Sequence, residues 1–192
     1  MIDARSAARL AAASLLISGA AFAQPPTATL EACAACHGPQ GNAQVPQFPS
    51  IAAQPKVFIE NQLVLIREGL RDVKEMKEVM AGMSDETIIA LANHFSTQPL
   101  RPKGSPLNTD KARLGAETSR KALCGTCHLA DYSGQKQVPR LAGQNEPYLL
   151  ASMTQFRDNP GPGRDTIMSA ALYGLTDADL ANLAHYLANY KP

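Results

Sequence analysis

Apolar residues recur at helical spacing in two segments, one near the middle of the chain and one at its end. The first set is Ile88, Leu91, Ala92 and Phe95, and the second set is Leu180, Leu183, Ala184 and Leu187. Ser84 precedes the first set and Thr176 the second, and both are followed by acidic residues, as is typical of helix starts. Each segment is therefore predicted to form an amphipathic helix.

The other periodic segments also favour helices, and none shows a convincing alternation of apolar and polar residues. Middle helices are predicted over residues 57–68 and 147–158. A longer helix is predicted over residues 111–123, whereas its counterpart over residues 27–32 is much shorter. The predicted fold class is therefore all-α.

The chain contains an internal repeat. The pattern Cys-x-x-Cys-His occupies residues 33–37 and occurs again at residues 124–128, which is 91 residues later. Two further pairs of similar segments follow in the same order, 48–54 with 138–144 and 83–86 with 175–178. Two copies in matching order predict two similar helical domains.

The domain limits follow from composition. Residues 98–109 contain three prolines and a glycine and are predicted to be a linker between a first domain at 24–97 and a second domain at 110–192. Residues 1–23 combine an early pair of arginines, an apolar stretch and a terminal Ala-Phe-Ala, and we expect an export signal peptide there. The alternative is an uncleaved anchor, but the apolar stretch is shorter than the roughly 20 residues that a spanning helix needs.

Charge and aromatic content narrow the function. The chain has 18 basic and 17 acidic residues, which excludes a nucleic-acid binder that works by bulk electrostatics. Residues 24–98 carry 5 basic and 8 acidic residues, and residues 99–192 carry 11 basic and 8 acidic. We therefore expect a dipolar molecule whose second domain binds acidic partners, with Lys136 and Arg140 among the docking residues. With no Trp and only 5% aromatic residues, two small domains would have thin cores unless a large apolar cofactor fills them.

The Cys-x-x-Cys-His motifs supply that cofactor. Cysteines three positions apart lie on one side of a helical turn, so their sulfurs can form thioethers with the two vinyl groups of one haem, and the next His can ligate the iron. The candidates are Cys33, Cys36 and His37 in the first copy and Cys124, Cys127 and His128 in the second. Disulfides, a thiol redox pair or half of a zinc site are alternatives, but none explains a His after both second cysteines.

The sixth iron ligand decides between a carrier and an enzyme. Met76 stands 8 residues before Ser84, and Met168 stands 8 residues before Thr176, so the repeat makes them equivalent and favours both as ligands. The other methionines of the mature chain align with leucines and are predicted to pack in the core: Met80 with Leu172, Met83 with Leu175, and Met153 with Leu63.

Two histidines and two prolines remain. His94 and His185 do not correspond between the copies, so both are predicted to be packing or helix-face residues, although His94 is a candidate for tuning the first haem. Pro49 and Pro139 follow the motif histidines at similar spacing, and their carbonyls are candidates to hold the second ring nitrogen of each His. A plain loop proline is an equally simple interpretation of this spacing.

The sequence resembles the dihaem cytochrome c4 family, which has two class I cytochrome c domains. The resemblance rests on residues 35–42, 138–144 and 175–187 and extends over the mature chain. It implies covalent haem c at both cysteine pairs, proximal His37 and His128, and distal Met76 and Met168. Ala53, where the second copy has Gly143, and the short first helix depart from the pattern.

These observations predict a soluble, periplasmic dihaem electron carrier that is not an enzyme. Its expected partners are proteins, such as a quinol-oxidising complex and a terminal oxidase or a dehydrogenase, with membrane association only through such partners. Two alternatives remain open. One is a cytochrome subunit of a dehydrogenase or of a sulfide- or thiosulfate-oxidising complex, and the other is a dihaem enzyme with one open iron.

Overall fold

The computed structural model describes residues 24–159 and 161–191, so the predicted signal peptide lies outside the described residues. The helices are α1 (Thr27–His37), α2 (Lys56–Arg67), α3 (Lys74–Met80), α4 (Asp85–Ser96), α5 (Thr109–Lys121), α6 (Cys124–His128), α7 (Glu146–Asp158), α8 (Thr166–Leu172) and α9 (Asp177–Asn189). Within the described ranges no strand is present, and the all-α prediction is confirmed. None of these helices is both long and apolar enough to cross a membrane.

The predicted helix starts at Ser84 and Thr176 are confirmed. The Ser84 side chain accepts a hydrogen bond from the Thr87 amide of α4. Thr176 accepts from the Asp179 amide, and the Asp179 carboxylate accepts from the Thr176 amide, which forms a reciprocal capping box at the start of α9. Two orphan amide donors are thereby satisfied at the start of α9, which supplies half of the buried residues of the apolar core in the second copy.

The lead-in to the second cysteine pair differs from the sequence prediction. A single helix was expected over residues 111–123, but α5 ends at Lys121 and Leu123 adopts a left-handed conformation with φ of 56° before α6 begins. In the first copy, α1 instead runs without a break through Cys33 and Cys36 to His37. The two copies therefore reach the same motif by different backbone routes.

Each copy of the repeat has its own apolar core. In the second, Leu149, Leu180, Leu183 and Leu187 form the centre of one buried cluster, with α9 packed against α5 and α7. The first has two smaller clusters. One of these clusters contains Ile59, Leu91, Ala92 and Phe95, and the other contains Ile66, Met80 and Ile88. The clusters share the partly buried Leu63 and Met83 at their borders. We call residues 24–97 the first repeat and residues 110–191 the second.

The segment between the repeats is held by polar contacts on both sides. The Asn42 side chain donates to the Pro99 carbonyl and accepts from the Arg101 amide, which fixes the start of the segment to the first repeat. At its other end the Asn108 amide donates to His185 Nε2, while His185 Nδ1 lies 2.9 Å from the Glu146 carboxylate. Both ring nitrogens of the buried His185 are thus occupied, which agrees with its predicted packing role.

Ala53 and Gly143 occupy equivalent left-handed positions, with φ of 54° and 73°. Their amides make matching bonds, from Ala53 to the Phe95 carbonyl and from Gly143 to the Leu187 carbonyl, both 3.0 Å long. A left-handed conformation costs a residue with a Cβ roughly 1–2 kcal/mol, and glycine avoids this cost. Ala53 is therefore a strained position in a loop whose conformation the hydrogen bond requires.

We expect Ala53→Gly to stabilise the protein. The gain should be about 0.5–1 kcal/mol, because relief of strain is partly offset by the greater freedom of glycine in the unfolded chain. The matched change Gly143→Ala should destabilise, since its Cβ would lie 2.7 Å from the Pro102 side chain. Urea unfolding of both variants measures the two effects, and a destabilised Ala53→Gly would contradict the strain assigned here.

Candidate functional site

The first Cys-x-x-Cys-His motif occupies the last turns of α1. Cys33 and Cys36 are half-buried, and His37 is the final helical residue and is buried. Gly38 then ends the helix with φ of 71°, and its amide donates to the Ala34 carbonyl. A Cβ on Gly38 would lie 2.0 Å from the Asn42 carbonyl oxygen, so only glycine fits this chain reversal beside the motif.

The second motif forms the short helix α6. Cys124 is half-buried, Cys127 is exposed and His128 is buried at the end of the helix. Leu123 and Leu129, on either side of α6, both have positive φ, so the motif is set off from its surroundings by two left-handed residues. Leu129 takes the place that Gly38 has in the first repeat, with a similar φ of 69°.

No disulfide links the four cysteines, all of which lie in the described part of the chain. Burial raises the pKa of the Cys33 and Cys124 thiols above the usual value, because a thiolate is poorly solvated there. Neither cysteine is therefore the low-pKa thiolate that a thiol redox pair requires. The four sulfurs remain available for covalent attachment.

Each motif histidine is oriented by a proline carbonyl. His37 Nδ1 donates to the Pro49 carbonyl at 2.9 Å, and His128 Nδ1 donates to the Pro139 carbonyl at 2.8 Å. The proton on Nδ1 leaves Nε2 of each ring with a free lone pair. Burial lowers the pKa of both imidazoles, which keeps them neutral. The two rings are therefore prepared as metal ligands in the same way.

Met76 and Met168 lie on matching short helices, α3 and α8, which sequence periodicity did not predict because each has only seven residues. Both side chains are partly buried and pack at the edge of the core of their own repeat. Met80 and the equivalent Leu172 are 2% and 1% exposed, so the position predicted for packing is a core position in both repeats. Iron ligation by Met76 and Met168 stays a prediction.

Two arginines that no sequence motif marks, Arg67 and Arg157, bind the residues at the starts of α4 and α9. Arg67 donates to the Met83 carbonyl and to the Asp85 carboxylate, at 2.9 and 2.7 Å. The equivalent Arg157 donates to the Leu175 carbonyl and to Asp177 at the same distances. Each guanidinium therefore connects the middle helix of its repeat to the start of the last helix. Arg67 and Arg157 stand 90 residues apart, at equivalent positions of the repeat, and this correspondence is the sequence signal that could have identified them.

The donor groups fit haem c. Each repeat offers two thiols one helical turn apart, a neutral imidazole with a free Nε2 and a partly buried thioether on a separate helix. Two thiols in this spacing suit the two thioether bonds of haem c, and imidazole with thioether is an established pair of axial ligands. His94 lies outside this set, with its ring against the edge of Phe95.

Comparison with known proteins gives consistent matches. The family model described as Cytochrome c matches residues 112–191. The chain is 31% identical over 167 residues to cytochrome c4 of Thiocapsa roseopersicina, covering 81% of this chain and 85% of the relative. It is also 28% identical over 179 residues to the thiosulfate dehydrogenase electron acceptor of Thiomonas intermedia (strain K12), covering 86% and 81% of the two chains.

A solved structure extends the match to both repeats. Reduced recombinant cytochrome c4 from Pseudomonas stutzeri superposes with a TM-score of 0.78 at 26% identity, over 88% of this chain and all of that one. The helical fold and the duplicated donor set define an electron-transfer cytochrome of the c type. The chain belongs to the cytochrome c4 family, and it carries two covalently bound haem c groups.

Proposed function

We propose that the protein is a periplasmic electron carrier in which both haem irons are closed by a His and a Met. The observation that carries the proposal is the equivalence of the two donor sets, since each motif His is held by a proline carbonyl and each repeat offers a methionine at the same place. In an electron carrier both irons have all six coordination positions filled, whereas an enzyme needs one iron with a position open to substrate.

The chain's residues have simple roles in this proposal. Cys33, Cys36 and their counterparts anchor the haems, and the Pro49 and Pro139 carbonyls fix the ring orientation of the ligating histidines. The buried cluster around Leu183, against which Cys124 and Met168 pack, would exclude water from the second site. The haem irons held by these residues would supply the one-electron chemistry of the ferric/ferrous couple.

The partners we propose are other redox proteins. The relative from Thiomonas is named for accepting electrons from thiosulfate dehydrogenase, so a dehydrogenase of this class is one candidate donor. A quinol-oxidising complex is the other donor and a terminal oxidase the acceptor that we expect for a free carrier. Copurification with a stable partner would instead favour a bound cytochrome subunit.

The charge asymmetry suggests that acidic partners dock on the second repeat, but Arg140, which was expected to contact them, serves the fold, and so does Arg67 in the first repeat. Arg140 is half-buried, and its Nε donates to the Ala53 carbonyl at 3.3 Å. Arg67 is engaged with Met83 and Asp85, as described above. Neither arginine is a suitable docking contact. Lys136, the other expected residue, is exposed, and so is Lys121; in the sequence they follow and precede the exposed Cys127, and we assign docking to these two lysines.

Electron exchange with an acidic partner should slow as salt is added. We expect roughly a tenfold fall in rate between 0.01 and 0.1 M salt, because the screening length shortens from about 30 to about 10 Å. The double variant Lys121→Glu/Lys136→Glu should slow the exchange at low salt. The matched double variant Lys74→Glu/Lys77→Glu, also exposed but in the first repeat, should slow it less. Stopped-flow rates that ignore both salt and these reversals would contradict the assignment.

A further inference from the structure

The repeats meet through two glutamine side chains that pair with backbone of the opposite repeat. Gln144 Oε1 accepts from the Ser50 amide and Gln144 Nε2 donates to the Ser50 carbonyl, both at 2.8 Å. Gln54 Oε1 accepts from the Arg140 amide at 2.9 Å, and its Nε2 donates to the Arg140 carbonyl at 3.0 Å. Gln54 and Gln144 are equivalent residues of the repeat, as are Ser50 and Arg140, so the contact is reciprocal.

The amides bound by these glutamines belong to the peptide groups that hold the motif histidines. The peptide linking Pro49 to Ser50 accepts from His37 Nδ1 through its carbonyl and donates to Gln144 through its N–H. The peptide linking Pro139 to Arg140 connects His128 to Gln54 in the same way. Each motif histidine is thus joined to the other repeat by one peptide group and two hydrogen bonds.

Hydrogen bonds in such a series strengthen one another. A peptide group is conjugated, so an acceptor on its N–H increases the electron density of its carbonyl oxygen and makes the oxygen a better acceptor. A stronger hydrogen bond from Nδ1–H to this carbonyl raises the basicity of the ligating Nε2, which favours the ferric ion. Ser50, Gln54 and Gln144 are each 4–5% exposed. The two bonds between Ser50 and Gln144 are fully buried, so water does not compete for them.

We infer that Gln144 lowers the reduction potential of the first haem and Gln54 that of the second, each acting across the interface as a positioning residue for the other repeat's ligating histidine. The inference rests on the proposed function, because it requires His37 and His128 to ligate iron. It makes the potential of each haem depend on the docking of the two repeats.

The near-isosteric variants Gln144→Met and Gln54→Met test this in the full holoprotein. The potentials of the two haems are measured separately by following their hyperfine-shifted proton resonances during reduction. Gln144→Met should favour reduction of the first haem by roughly threefold, or about 30 mV for a one-electron couple, with a smaller change at the second. Gln54→Met should shift the second haem instead. Gln144→Glu keeps an oxygen acceptor for the Ser50 amide and should not raise the potential of the first haem.

Asn145→Leu is the matched control. In the unaltered protein, Asn145 Nδ2 donates across the same interface to the Phe48 carbonyl at 2.7 Å, whereas His37 donates to the Pro49 carbonyl. The Asn145→Leu variant should therefore weaken the interface and leave the reduction potential of the first haem unchanged. The inference would be overturned if Gln144→Met and Asn145→Leu shifted the potential of the first haem equally, or if neither glutamine variant shifted the potential of either haem. Failure of the proposed function would be distinct, since the unaltered protein would then lack two His/Met-ligated haems.

Discussion

Replacing Met76 by Ala should open the first haem iron to small ligands and lower its reduction potential, while the second haem stays closed. The thioether of Met76 is the predicted sixth ligand, and its loss leaves an iron that water or an added ligand can reach. We expect a fall of on the order of 100 mV or more, within the range of about 0.8 V over which axial ligands set haem potentials. Met168→Ala should do the same to the second haem only. Carbon monoxide binding and a redox titration measure both effects.

The control variants change methionines that pack in the core. Met80 is 2% exposed beside Ile66 and Ile88, and Met83 borders the same cluster. Met80→Leu and Met83→Leu conserve volume and should cost less than about 1.5 kcal/mol without opening either iron. If Met80→Leu opened the first haem and Met76→Ala did not, the alignment of the two copies around these residues would be wrong.

The double variant Cys33→Ser/Cys36→Ser should carry one covalent haem in place of two. Both thiols of the first attachment site are lost, while Cys124 and Cys127 still hold the second haem. Without its haem the first repeat should lose more than about 4 kcal/mol, a loss as large as the removal of a metal or cofactor causes. Intact mass under denaturing conditions counts the haems, and thermal unfolding reports the stability.

The reciprocal variant Cys124→Ser/Cys127→Ser provides the control. It should retain the first haem and destabilise the second repeat, whose core includes the half-buried Cys124. Loss of both haems from either variant would mean that attachment in the two repeats is interdependent. Two covalent haems in the Cys33/Cys36 variant would refute the assigned attachment sites.

The sequence alone predicted the elements that have strong local signals. The capping residues Ser84 and Thr176 and the apolar stripes behind them lie where local chemistry determines structure, and the structure confirms them. The proline carbonyls were open to a simpler interpretation, yet Pro49 and Pro139 do hold the motif histidines. The duplication made these assignments possible, because a feature that occurs at equivalent positions in both copies of the repeat rarely arises by chance.

Other features depend on contacts that no local pattern encodes. The seven-residue helices α3 and α8 show too little periodicity to be recognised, and the break at Leu123 depends on a left-handed backbone that leucine rarely adopts. The pairing of Gln54 with Arg140 joins residues 86 positions apart. Such contacts arise only when the repeats pack together. For the same reason Arg140 was expected to be a docking residue, whereas it belongs to the interface.

A spectroelectrochemical titration of the purified, unaltered protein tests the central claim most directly, because it reports electron count and iron ligation together. The account predicts two one-electron steps per chain, with both haems low-spin and both showing the long-wavelength absorption of a Met-ligated ferric iron. A high-spin haem would contradict the carrier and favour an enzyme with an open iron. So would a haem that binds carbon monoxide without any substitution, or a chain that accepts a single electron.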